Sequence, residues 1–243
     1  MVEWNAGDEE VEVEIMFKSL LKKILKGQRI HKFQEVNEHP ALTSNCIYAA
    51  NHSCKWDGQY LMELIPGEFS FLAGKQRMKF IDRFGLTWNG IIWVDRKDKK
   101  SKATSKQRMK KVINKGKSLC IFPEGTWNLE PSLPVLPLYW GVIEMAQTTH
   151  VPIVPVCLEY VDDICYVKYG EVISVDKDAD KAERIQYLRE VLATLKWDIW
   201  EMLPTCKRCN VEEDYWDKEI QRRLKEYELL DYEYEMSCVR KVD

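Results

Sequence analysis

The segment Asn51-His52-Ser53-Cys54-Lys55-Trp56-Asp57 sets an imidazole and a carboxylate five residues apart. An imidazole with an ordinary pKa of about 6.5 can take a proton from a hydroxyl at neutral pH. A carboxylate on its other ring nitrogen fixes the tautomer and stabilises the imidazolium as it forms. Residues five apart on a regular helix point about 140° from one another, so the pair meets only where the chain is not plain helix. A second segment, Phe122-Pro123-Glu124-Gly125-Thr126, adds a glycine turn between a carboxylate and a hydroxyl. Gly125 permits close backbone approach, and its N–H is a candidate donor to an anionic oxygen. Both segments also have a plain structural reading. His52 can be a polar strand-end residue with Asp57 as a helix N-cap, and Pro-Glu-Gly-Thr can be a turn.

Short apolar runs lead into both segments. Residues 46–50 predict a buried strand that delivers Asn51-His52, followed by a helix over 58–65 that breaks at Pro66-Gly67. Residues 118–122 predict a strand that delivers Pro123-Glu124-Gly125. Further strands are expected at 90–94, 151–160 and 166–173, and helices at 100–115, 139–149 and 179–203. The last has Ile185, Leu188, Leu192, Leu195 and Ile199 on one side. This alternation predicts a single α/β domain with a mixed, mainly parallel sheet flanked by helices. Open sheets of that kind hold ligands at their strand ends.

With 243 residues and 45% apolar content, the chain suits one large domain with a small appendage. Three stretches are expected: 1–36 with an acidic start and a basic amphipathic helix, 37–205 as the main domain, and 206–243 as an acidic helical tail. Residues 15–26 put Met16, Phe17, Leu20, Leu21, Ile24 and Leu25 on one half of a helix and four lysines on the other. Such a helix can lie in a lipid interface or pack on the domain's own core. No run approaches the roughly 20 apolar residues of a spanning helix. The acidic N-terminus carries no secretory h-region, and the eight scattered cysteines read as reduced thiols in a cytoplasmic setting.

The net charge of −3 hides segregation: residues 96–117 hold eleven Lys/Arg against one Asp, and residues 210–235 ten acids against four bases. The basic stretch lacks interleaved aromatics and any nucleic-acid motif, so no nucleic-acid partner is expected. An anionic membrane surface or an acidic carrier protein fits it better, as does a set of solvated helix faces.

His-x4-Asp alone arises by chance in roughly one such chain in five, but Phe-Pro-Glu-Gly only in on the order of a few chains per thousand at average composition. Two more segments accompany them: residues 75–96, with Phe80-Ile81-Asp82-Arg83-Phe84-Gly85 and Trp93-Val94-Asp95-Arg96, and Val151-Pro152-Ile153-Val154-Pro155-Val156. In this order the four resemble the active-site blocks of the glycerolipid acyltransferase family, the 1-acylglycerol-3-phosphate acyltransferase-like enzymes, over about residues 46–160.

The resemblance implies transfer of a fatty acyl group from acyl-CoA or acyl carrier protein to a hydroxyl of lysophosphatidic acid or a related lysolipid, in phospholipid biosynthesis. A thioester brings its own leaving group, so neither an enzyme nucleophile, a cofactor nor a metal is expected. By the same resemblance His52 is the base and Asp57 its orienter. Glu124, Gly125 and Thr126 hold the acceptor, with Lys75 and Arg96 at matching basic positions. Since many family members carry a hydrophobic anchor, the expected location here is peripheral, on the cytoplasmic face of a membrane.

One departure stands out. The family usually has Arg directly after the Thr, and here Trp127 takes that place. Trp cannot supply a cationic fork to a phosphate, which leaves room for a non-phosphate acceptor. A catalytically silent lipid or acyl-carrier binding protein on the same fold is the reading of another class. Cys54 lies too close in sequence to His52 for a Cys-His pair. Cys206-x2-Cys209 has only Cys238 nearby as a further thiol, which is thin for zinc. His31, His39 and His150 read as structural or exposed.

Overall fold

The computed structural model describes residues 31–74, 86–87, 90–130, 132–204, 208–226 and 231–241. Lys75, Arg83 and Cys206, and the amphipathic segment 15–26, lie outside the described residues.

Seven strands form one sheet in the order β1-β7-β6-β2-β5-β3-β4. They are β1 (Lys32–Glu35), β2 (Ile47–Ala50), β3 (Phe69–Gly74), β4 (Ile91–Val94), β5 (Ser118–Ile121), β6 (Ile153–Val161) and β7 (Ile164–Tyr169). Every pairing is parallel except the β6/β7 hairpin. The mixed, mainly parallel α/β sheet expected from the sequence is therefore the fold. Strand β2 lies between β5 and β6, buried along its whole length, as parallel strands covered on both faces require.

Side-chain alternation on β2 divides the core in two. Ile47 and Ala49 face a cluster with Leu119, Ile121 and Ile153. That face is closed by helices α2 (Lys99–Asn114), α3 (Gly141–Thr149) and α4 (Lys181–Met202). Cys46, Tyr48 and Ala50 face the opposite cluster, which includes Cys120, Val154, Val156 and, from helix α1 (Asp57–Leu64), Tyr60 and Leu61. Helix α4 buries Ile185, Leu188, Leu192, Leu195 and Ile199, the residues its period singled out.

Strands β1 and β3 are not among the expected elements, and the tail is divided. Strand β1 is polar and mostly exposed at the sheet edge, so no apolar period announced it. Strand β3 follows the Gly67 turn, whose φ of 74° glycine accepts at little cost. The tail, expected to be helical, forms α5 (Tyr215–Glu226) and a separate short α6 (Tyr232–Met236), the latter capped by the Asp231 carboxylate on Tyr234 N–H. His31 and His39 bond the hydroxyls of Tyr60 and Tyr48, so both have structural partners.

Candidate active site

Parallel neighbours β2 and β5 end side by side and release their loops in the same direction. The loops are tied together where Asn128 N–H donates to His52 O at 2.7 Å. Asn51 continues the β2/β6 ladder with its side chain. Its amide nitrogen donates to Leu158 O, and its oxygen accepts from Leu158 N–H at 2.7 Å. The residue before His52 is thereby fixed to the sheet.

Residues 52–56 make a turn rather than a helix, and α1 begins at Asp57. His52 Nδ1 lies 2.8 Å from Asp57 Oδ2. Asp57 is no N-cap. It is the first helical residue, and its carboxylate reaches back to accept from Ser53 N–H at 2.6 Å and Cys54 N–H at 2.9 Å. The other oxygen accepts from the Tyr160 hydroxyl at 2.5 Å and from Cys54 Sγ at 3.4 Å. Burial pushes this carboxyl up, but the His52 hydrogen bond and charge, with Tyr160 O–H and Cys54 N–H, outweigh it and hold it below the usual range. The ionised carboxylate only accepts, so Nδ1 carries the proton and Nε2 the lone pair.

The imidazole itself is held between rings. Phe122 stacks on it at 4.1 Å between centroids, and Trp127 meets it edge-on at 5.7 Å. Its side chain keeps 16% exposure against none for Asp57, so solvent or substrate reaches the base but not its orienter.

The second segment divides its work differently from expectation. Glu124 is fully buried, and its two oxygens accept from His52 N–H at 2.7 Å and Leu136 N–H at 2.8 Å. Burial pushes it up to about 7, against the two N–H bonds that pull it down. It presents no free oxygen to an acceptor and instead clamps the backbone of the base. Gly125 N–H is likewise used inside the turn, donating to Phe122 O at 3.0 Å, and does not face a ligand. Glycine is required there, because φ is 72° and an added Cβ would stand 2.8 Å from Tyr139 Cε2. Thr126 is buried, and its hydroxyl donates to the Glu235 carboxylate.

Arg96, at the end of the β4 segment, donates to Gly125 O and forms a fork on Glu235, Nη1 to Oε2 at 3.1 Å and Nη2 to Oε1 at 3.2 Å. The structure thus brings Arg96, Gly125 and Thr126 together, with a tail carboxylate among them. Burial drives the Cys54 thiol well above its ordinary value, which leaves it a neutral packing group and no nucleophile. No cluster of metal ligands occurs among the described residues.

Sequence reasoning missed Phe122 as a ring partner, Tyr160 and Glu235. Tyr160 lies 103 residues from Asp57 and meets it only because β6 pairs with β2. The one signal for Glu235 was charge: an acid-rich tail in a chain with a basic stretch beginning at Arg96.

The chain is similar to known proteins in sequence and in fold. A 1-acyl-sn-glycerol-3-phosphate acyltransferase of Saccharomyces cerevisiae is 29% identical over 127 residues, 51% of this chain and 42% of that protein. One of Borreliella burgdorferi is 31% identical over 146 residues, covering 59% and 57%. The chain thus spans about half the length of these curated relatives. The crystal structure of PlsC, the 1-acyl-sn-glycerophosphate acyltransferase of Thermotoga maritima, shares the fold with a TM-score of 0.63 at 16% identity, over 85% of this chain and 86% of that one. The family described as Acyltransferase matches residues 28–159, a span that holds the His52/Asp57 turn and the Glu124-Gly125-Thr126 loop, and to that family this chain belongs.

Proposed function

We propose that this protein transfers a fatty acyl group from acyl-CoA or acyl carrier protein to a hydroxyl of lysophosphatidic acid or a related lysolipid. The observation that carries the reading is the 2.8 Å His52–Asp57 contact, with Nε2 free of the carboxylate and the ring partly exposed. The acceptor O–H gives its proton to His52 Nε2 as its oxygen attacks the thioester carbonyl. The imidazolium forms against the Asp57 carboxylate. The C–S bond then breaks, and the thiol leaves with the proton from His52. The names of the curated relatives support the acceptor class.

Helix α2 supports an anionic membrane surface or an acidic carrier as partner, since it exposes Lys102, Lys111 and Lys115 at its end. Among the described residues no helix is long and apolar enough to cross a membrane, and residues 15–26 are the proposed interfacial element on the cytoplasmic face. The proposed division of the chain remains 1–36, 37–205 and 206–243.

The test is a product assay on the purified full chain. Lysophosphatidic acid and 1-monoacylglycerol are offered with acyl-CoA and, separately, with acyl carrier protein. Ester product that vanishes in His52→Ala is the expected result. Folded wild-type protein that binds these lipids yet acylates none of them would instead make it a binding protein.

A further inference from the structure

The C-terminal tail brings an anion into the acceptor block from the protein's own chain. Glu235 on α6 is buried, and its carboxylate takes the Arg96 fork at 3.1 and 3.2 Å together with the Thr126 hydroxyl. A planar fork plus a hydroxyl is the donor set that recognises a phosphate monoester as well as a carboxylate. Arg96 Nη1 also donates to Gly125 O, and its Nε is buried without a hydrogen-bond partner. Both fork nitrogens are therefore committed before any acceptor arrives.

Glu235 does not hold the tail alone. Tyr139 O–H donates to Cys238 O at 2.8 Å, and Trp216 Nε1 to Leu129 O at 3.2 Å. Arg240 donates to Leu138 O and lies 5.0 Å over the Trp140 ring. Met236 packs on Trp127 and Leu129, and the Tyr234 ring lies under Arg96 and Lys97. These contacts hold the tail against the block in addition to the Glu235 bonds. The carboxylate is a built part of the site, not a counter-ion that a ligand sweeps aside.

We propose that Glu235 is an acceptor-specificity residue: its carboxylate occupies the anion subsite of Arg96 and Thr126, and so turns the site away from phosphate monoesters. Of the two acceptor types in the proposed function, this narrows the choice to the related lysolipids, those with no dianionic group at this position, over lysophosphatidic acid. A phosphate arriving there finds the fork taken and meets a second negative charge, which is selection by repulsion. The proposal rests on the acyl-transfer reading for its word acceptor, but the anion subsite can be tested without turnover.

The first experiment measures thermal unfolding of the full chain with and without inorganic phosphate. Wild type should not respond. Glu235→Gln, which keeps side-chain volume and an acceptor for Thr126, and Glu235→Ala both free the Arg96 charge, so phosphate should raise their Tm by binding the folded state. Adding Arg96→Ala should abolish that rise. A flat Tm in the folded Glu235 variants overturns the proposal. So does a response that survives Arg96→Ala, or one already full in wild type.

The second experiment compares kcat/KM for lysophosphatidic acid and 1-monoacylglycerol. Wild type should prefer the uncharged acceptor, and Glu235→Gln should raise the ratio towards lysophosphatidic acid at least about tenfold. A wild-type preference for lysophosphatidic acid, or an unchanged ratio, overturns it. Failure of wild type to acylate any acceptor sinks the acyl-transfer reading instead, while the phosphate titration still decides whether Glu235 fills an anion subsite.

Discussion

Replacing Asp57 by Asn removes one charge and almost nothing else. Asp57 Oδ2 accepts from His52 Nδ1, Ser53 N–H and Cys54 N–H, and an Asn carbonyl oxygen can take all three. The new NH2 group then faces the Tyr160 hydroxyl, which can rotate to accept from it. The 52–57 turn should therefore persist. What disappears is the negative charge opposite the imidazolium that forms at the moment of attack. With a 2.8 Å N···O contact, the two charge centres lie roughly 4 Å apart. At an effective dielectric of about 20 the pair is worth ~4 kcal/mol, or about 10³ in rate. Because the imidazolium exists only after proton transfer begins, the loss should fall on kcat and leave KM within about twofold. Steady-state release of free thiol from acyl-CoA measures it, with circular dichroism to establish folding. His52→Ala should lose at least as much, and adding Asp57→Asn to it should cost little more, since an orienter without its base has no work to do. A folded Asp57→Asn enzyme that keeps more than about a tenth of wild-type kcat refutes the assignment of Asp57. So does a loss confined to KM.

Other consequences follow from the same contacts. Tyr160→Phe removes one of five donors from a buried carboxylate. It should cost about 1.5 kcal/mol in urea denaturation, the low end for a charged hydrogen bond because four donors remain. It should also weaken the Asp57 contribution, which is present above the unfolded carboxyl value of 3.8 and lost as pH falls through the lower folded value. Glu124 behaves with the opposite sign. Its folded pKa of about 7 lies above the ordinary 4.5, so its contribution is full below about 4.5 and declines as pH rises to about 7. Wild-type stability relative to Glu124→Gln should therefore shrink by ~3 kcal/mol between pH 4.5 and 8, measured from denaturant midpoints; a constant difference would contradict the buried titration. Gly125→Ala should cost ~2 to 3 kcal/mol, combining a left-handed φ with the Tyr139 ring 2.8 Å from the new Cβ. In a Tyr139→Ala background only the ~1 kcal/mol backbone part should remain.

How much of this was legible in the sequence depended on how local the physics is. The strand-turn-helix around His52 could be read because a buried strand, a polar turn and a Pro-Gly helix stop are each written in consecutive residues. The turn then forced His52 and Asp57 into reach, since a helix would have held them apart. The α4 core face was readable for the same reason, through its 3.6-residue period. Strand β1 was not, because an exposed edge strand buries too little to impose a pattern.

The roles within Glu124-Gly125-Thr126 were decided by tertiary structure. A Glu beside a Gly turn looks the same in sequence whether its carboxylate faces a ligand or two backbone N–H groups. Only the side-by-side ends of β2 and β5 bring His52 N–H to it. Tyr160 reaches Asp57 through strand pairing across 103 residues, and Glu235 reaches Arg96 through packing across 139. Sequence determined which chemistry the chain carries, because residue type and short spacing fix an acid, a base and a turn. The fold decided which of those groups remain free to act, because burial and long-range hydrogen bonds determine whether a polar atom still has a valence to offer.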